Sequence, residues 1–215
     1  MSTMRKVGIG AGSAGVIAAA VAFLPGWEGM DKVAKVDRIG TGHPITYCYG
    51  QTDEFGTVKV GTKFTKQQCD ALLAKSLPKY LAKIEPCVKV PVPDKTMAAL
   101  LDAAYNAGPA AVCNSPMVRK INAGDLRGGC NAFAGWYVRS DGVVRKGLVA
   151  RRAGDSRKGE KQLCLEGLAE EPDLIHRAPA APKSVKRAAV VPPSPPNPRC
   201  EFPWLSSACF AKGHR

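Results

Sequence analysis

From Val7 to Leu24 the chain runs VGIGAGSAGVIAAAVAFL, eighteen residues without a charge, directly after Arg5 and Lys6. At 1.5 Å per residue such a helix approaches the roughly 30 Å hydrocarbon core of a bilayer. Four Gly, six Ala and one Ser leave only seven larger apolar side chains, so its transfer into lipid is favourable but weak. A helix of this kind can enter a membrane and also leave it. Arg5 and Lys6 stay on the cytoplasmic side, which places residue 25 onward outside. Three fates compete: cleavage as a signal peptide after Ala20-Val21-Ala22, permanent anchoring, and an uncleaved, weakly held helix. The reading favours the third, because Pro25-Gly26 ends the helix and Trp27-Glu28-Gly29 follows with no linker.

The cysteines agree with export. Eight Cys, three His and no Cys-x-x-Cys pattern among 215 residues argue for disulfides in an oxidising compartment rather than a metal framework. Neither metal nor cofactor is expected. A formal charge of +13 calls for a polyanionic partner. Export and the lack of a basic-aromatic motif exclude nucleic acid and leave anionic envelope polymers or lipopolysaccharide.

Three segments follow from the patterning: residues 1–25, the membrane helix; 26–170, one mixed domain; and 171–215, a basic tail. Residues 44–62, rich in Gly, Thr and Tyr, read as a small sheet, with Glu54-Phe55-Gly56-Thr57 between short strands. Thr65 then caps a helix with apolar positions at Leu72, Leu73, Leu77, Leu81 and Ile84, Pro86 stops it, and Asp94 opens another. Further helices are expected near 115–123, 125–135 and 147–166. The class is α+β, a small sheet beside a helical lobe, preceded by the hydrophobic helix. The tail holds seven Pro between Ala178 and Pro198, an extended spacer, and closes on a Cys200–Cys209 loop with Trp204.

The chemistry concentrates just after the apolar run. Glu28, Asp37 and the hydroxyl of Thr46 can surround one substrate atom, as glycoside hydrolysis requires: a protonated acid for the leaving oxygen, an ionised carboxylate opposite, and a polar group fixing water. Trp27-Glu28-Gly29, Asp37 and Thr46-Tyr47-Cys48-Tyr49-Gly50-Gln51-Thr52 resemble the Glu-x8-Asp-x5-Thr active site of phage-type lysozymes, the endolysins of glycoside hydrolase family 24. Ala103-Ala104-Tyr105-Asn106-Ala107-Gly108, Lys120-Ile121-Asn122-Ala123-Gly124-Asp125, Trp136 and Gly147-Leu148-Val149-Ala150-Arg151-Arg152 are similar to later blocks of that family, in order.

The resemblance implies a phage-lysozyme-like fold and a muramidase that cuts β-1,4 bonds between N-acetylmuramic acid and N-acetylglucosamine in peptidoglycan. It further implies the signal-arrest-release type, tethered facing the periplasm and then released to lyse the host. It makes Glu28 the general acid, with Asp37 and Thr46 positioning or activating water. Arg151 or Arg152 reaches Glu28, and Gln51 and Asn106 support the site. Three departures stand out: eight residues rather than five separate Asp37 from Thr46, Gln51 replaces a frequent His, and Gly154, Asp155 and Gly159 interrupt the helix after Arg152. Cys48, with no His beside it, reads as a disulfide partner rather than a nucleophile. Short-loop closure favours Cys69 with Cys87, Cys113 with Cys130 and Cys200 with Cys209, leaving Cys48 for Cys164. The competing reading is a non-enzymatic, membrane-disrupting or envelope-binding protein on the same lobe.

Overall fold

The computed structural model describes residues 12–38, 42–52, 56–140 and 142–173. The Pro-rich tail, the Cys200–Cys209 loop and residues 1–11 lie outside the described residues. The first helix, α1 (Gly12–Phe23), buries Val16 and Ala20, and Leu24, directly after it, continues the same face at the same spacing of four. That face packs on α3 (Lys66–Ile84) and α4 (Asp94–Ala107), so the apolar run is part of the core. Gly15 leaves the room that lets α1 approach the start of α4: a Cβ there would lie 1.8 Å from Asp94 Oδ2. Among the described residues no helix is long and apolar enough to cross a membrane.

Pro25 does not end the helical path. Leu24 keeps helical angles, and Pro25 opens a short helix, α2 (Pro25–Glu28), where its missing N–H costs nothing. Gly29, at φ +69°, then turns the chain into β1 (Asp31–Val36). This strand pairs antiparallel with β2 (Ile45–Cys48), Lys35 opposite Thr46 and Val36 opposite Ile45. Residues 61–64 lie along the other edge of β1, Phe64 N–H donating to Lys32 O at 2.8 Å, and the Phe64 ring stacks on Tyr47 at 5.0 Å. The sheet therefore starts earlier than the expected 44–62. Lysines at 32 and 35, with only Ala34 buried, gave β1 no apolar signature.

The helical lobe follows its local signals. Thr65 and Gln68 form a reciprocal capping box on α3, and Pro86 lies in the 3₁₀ turn that closes it. Helix α4 runs through the middle, buried from Ala98 to Ala104, against α1, α3 and α9 (Glu160–Glu170). Between α4 and α9 come α5 (Pro109–Cys113), α6 (Pro116–Asn122), α7 (Leu126–Asn131), the hairpin β3 (Arg139–Ser140) and β4 (Val143–Val144), and α8 (Lys146–Ala153).

Among the described residues the disulfides are Cys48–Cys69, Cys87–Cys113 and Cys130–Cys164, which overturns the pairings of Cys69 with Cys87, Cys113 with Cys130 and Cys48 with Cys164. The reason is helix α3. It stands between Cys69 and Cys87 as a rod of roughly 25 Å, against the roughly 5.5 Å that a disulfide spans between Cα atoms. Loop length decides little by comparison, since doubling it costs only about 0.6 kcal/mol.

Candidate active site

Glu28 is the last residue of α2, and its backbone N–H still bonds to Leu24 O at 3.2 Å. Its carboxylate points at α8, where Arg151 Nη1 lies 2.6 Å from Oε1 in an ion pair. The Glu28 side chain is one-fifth exposed. Burial is the largest influence and holds its pKa above the ordinary 4.5; Arg151 works against that and Asp102 adds to it. A carboxyl so held keeps its proton further up the pH scale.

Behind this pair is a closed cluster of charge. Arg151 grips Asp102 with two bonds, Nε to Oδ2 at 2.9 Å and Nη2 to Oδ1 at 2.8 Å. Arg152 donates Nη1 to Glu160, Nη2 to Asn106 Oδ1 at 2.7 Å and Nε to Trp136 O at 3.2 Å, while its Cζ lies 5.0 Å from the Trp136 ring centre. Asp102, Arg152 and Glu160 are fully buried. Three carboxyls thus face two guanidiniums. Burial, then the Asp102 charge, pushes the Glu160 pKa well above the ordinary 4.5, against the pull of Arg152.

Asp37 and Thr46 belong to the strand pair. Asp37 follows β1, with its N–H donating to Pro44 O at 2.8 Å and its carbonyl 3.3 Å from His43 Nδ1. Pairing of Lys35 with Thr46 sets Asp37 and Thr46 diagonally on one face, both half-buried. Residues 39–41, within the enlarged turn between them, lie outside the described residues. Gln51 is buried and its Oε1 accepts from Tyr49 N–H at 2.8 Å, which shapes the turn after Thr46. Tyr105 of α4 ties the halves together by donating to Tyr49 O at 2.8 Å; burial and then the Glu28 charge drive its phenol pKa upward.

Of the two arginines, then, Arg151 reaches Glu28, while Arg152 and Asn106 join one layer behind. Sequence reasoning missed Asp102 and Glu160. Asp102 carried a signal, a lone acid in the apolar run of α4, four residues before Asn106 and so on the same helical face. Glu160 was hidden by the loop 154–159, which postpones it past the end of α8.

The phage lysozyme family model matches residues 25–155, from the helix bearing Glu28 through Arg151 and Arg152. The chain belongs to the phage lysozyme family. It is 33% identical over 168 residues to the SAR-endolysin of Enterobacteria phage P21, covering 77% of this chain and 97% of that protein. Among solved structures it resembles an endolysin from Escherichia coli O157:H7 phage FAHEc1 (TM-score 0.58, 27% identity, 69% of this chain and 91% of that one). It is also similar to the muramidase domain of SpmX from Asticaccaulis excentricus (TM-score 0.58, 26% identity, 68% and 95%). Family and relatives make the chain an endolysin-type hydrolase, and the helix-rich fold with small sheets is that of phage lysozymes. The non-enzymatic alternative is not favoured.

Proposed function

We propose that this phage lysozyme is a muramidase that cleaves the β-1,4 bond between N-acetylmuramic acid and N-acetylglucosamine in peptidoglycan, with Glu28 as general acid. The observation that carries this reading is the Glu28 carboxyl itself: largely buried, ion-paired with Arg151 at 2.6 Å, and raised in pKa by its burial. In its protonated form it donates to the leaving glycosidic oxygen. Asp37 activates a water with Thr46 holding that water on the other face of the sugar. The similarity to a muramidase domain and to endolysins supports the substrate class.

Residues 7–24 hold the exported chain at the inner membrane until they leave it. While they span the bilayer, Glu28, four residues on, is pinned within about 13 Å of it and cannot sit against Arg151. Collapse of the membrane potential favours exit, because Arg5 and Lys6 each couple to the field at about 2.3 kcal/mol per 100 mV. Docking of Val16, Ala20 and Leu24 in the core then offsets the loss of lipid contact.

Digestion of purified peptidoglycan tests the chemistry. New reducing ends should be N-acetylmuramic acid, and Glu28→Gln should produce fewer than about one-hundredth as many. Retention of more than about a tenth of the activity, or reducing ends on N-acetylglucosamine, would refute the assignment.

A further inference from the structure

Residues 154–159 join α8 to α9 and return across the junction between α1 and α2. The loop is closed at its neck by two glycines. A Cβ on Gly159 would lie 2.3 Å from Gly154 N, and one on Gly154, at φ +89°, would lie 2.0 Å from Gln162 Oε1. Asp155 braces it from within, its N–H donating to Arg157 O at 3.0 Å and its Oδ1 accepting from Arg157 N–H at 2.8 Å. Lys158 ties it to α9 through Glu166 at 2.6 Å.

So shaped, the loop makes three contacts with the segment just before Glu28. Arg157 Nη1 donates to Gly26 O at 2.6 Å, its Cζ lies 4.1 Å over the Trp27 ring, and Trp27 Nε1 donates to Lys158 O at 3.2 Å. Both partners of the Glu28–Arg151 pair therefore feed into one device: Arg151 is in the helix that leads into the loop, and Glu28 follows the residues the loop grips. Nothing in the core needs these contacts, since Arg157 is exposed.

We infer that the loop 154–159 is a strap and that Arg157 is a positioning residue for Glu28, acting through Gly26 and Trp27. The inference rests on Glu28 as the general acid. With the strap in place the end of α2 cannot swing outward, and Glu28 stays in its dry setting, faced by Arg151 and Arg152 from α8, Asp102 and Tyr105 from α4, and Glu160 from α9 behind them. Without it the carboxyl gains water, its pKa falls toward the ordinary value, and the acid form is lost at lower pH.

The test uses the full-length soluble enzyme on purified peptidoglycan, with kcat, KM, the pH profile and Tm measured for Arg157→Ala and Arg157→Lys. Arg157→Ala should lower kcat by about three- to tenfold, as expected for loss of a solvent-exposed cation–π and hydrogen-bond contact, with KM unchanged and the alkaline limb of kcat moved to lower pH. Arg157→Lys should recover part of both. A merely structural loop would lower Tm and leave the alkaline limb in place, which would overturn the inference. An unchanged kcat would do the same. Glu28→Gln separates the failures: an inactive Glu28→Gln beside an unaffected Arg157→Ala removes only the strap, whereas an active Glu28→Gln removes the general acid beneath it.

Discussion

Glu28 and Asp37 are nine residues apart in sequence and lie in surroundings of opposite character. Around Glu28 the helical lobe is dry: Arg151 and Arg152 are buried and saturated with partners, and Asp102 and Glu160 have no exposure. Around Asp37 are two short strands in which β1 buries only Ala34 and carries lysines outward. The general acid proposed at Glu28 must hold a proton that water would remove, which suits the first setting. The water-activating residue proposed at Asp37 must have water, which suits the second. One fold supplies both by putting its carboxylates on different layers and joining the layers through Tyr105 and the Cys48–Cys69 disulfide.

The largest effects should fall on turnover and then divide on stability. Glu28→Gln and Asp37→Ala should each lower peptidoglycan cleavage by about 10²–10⁴-fold, and Thr46→Ala by less. In urea unfolding Asp37→Ala should cost under about 1 kcal/mol, well below Arg151→Met; equal destabilisation by the two would erase the contrast between the two settings. Arg151→Met should cost about 3–5 kcal/mol, because it strands Asp102 and Glu28 together in the dry layer; a loss under 1 kcal/mol would mean that water already reaches them.

Removing the Cys130–Cys164 disulfide by double serine substitution should cost about 2–4 kcal/mol with kcat intact on the remaining folded enzyme. Removing Cys48–Cys69 should cost a similar amount and lower kcat as well, since Cys48 lies two residues beyond Thr46. The smallest effect is a pH dependence. The folded pKa of Glu28 is above its unfolded value, so its contribution to stability is full below about pH 4.5 and is lost as pH rises through the folded pKa. Glu28→Gln lacks that loss, and the stability of wild type relative to the variant should fall as pH rises above 4.5. A difference that stays flat would put Glu28 in water.

The elements that carry their own start and stop signals were readable in advance. Thr65 with Gln68, Pro86 and Asp94 write the ends of α3 and α4 into a few local contacts. The apolar helix and the α+β class were legible for the same reason, whereas the grouping of Glu28 with an arginine came only from the resemblance to phage-type lysozymes. What escaped depends on distant partners. β1 is a strand because β2 and residues 61–64 border it, not because its own residues favour one. The disulfides depend on where α3 holds its two ends, and Asp102 and Glu160 show their role only when α4, α8 and α9 meet.

The central claim is that the apolar run belongs to the working enzyme: it leaves the bilayer whole and docks Val16, Ala20 and Leu24 into the core, with Glu28 beside Arg151 as the consequence. Intact mass of the active species from the soluble periplasmic fraction tests this directly. The account predicts a lytic protein that retains residues 7–24 at its N-terminus. A fully active soluble protein beginning at Phe23 would contradict it, because such a chain has lost Val16 and Ala20 from the core and could owe its activity to no docked helix.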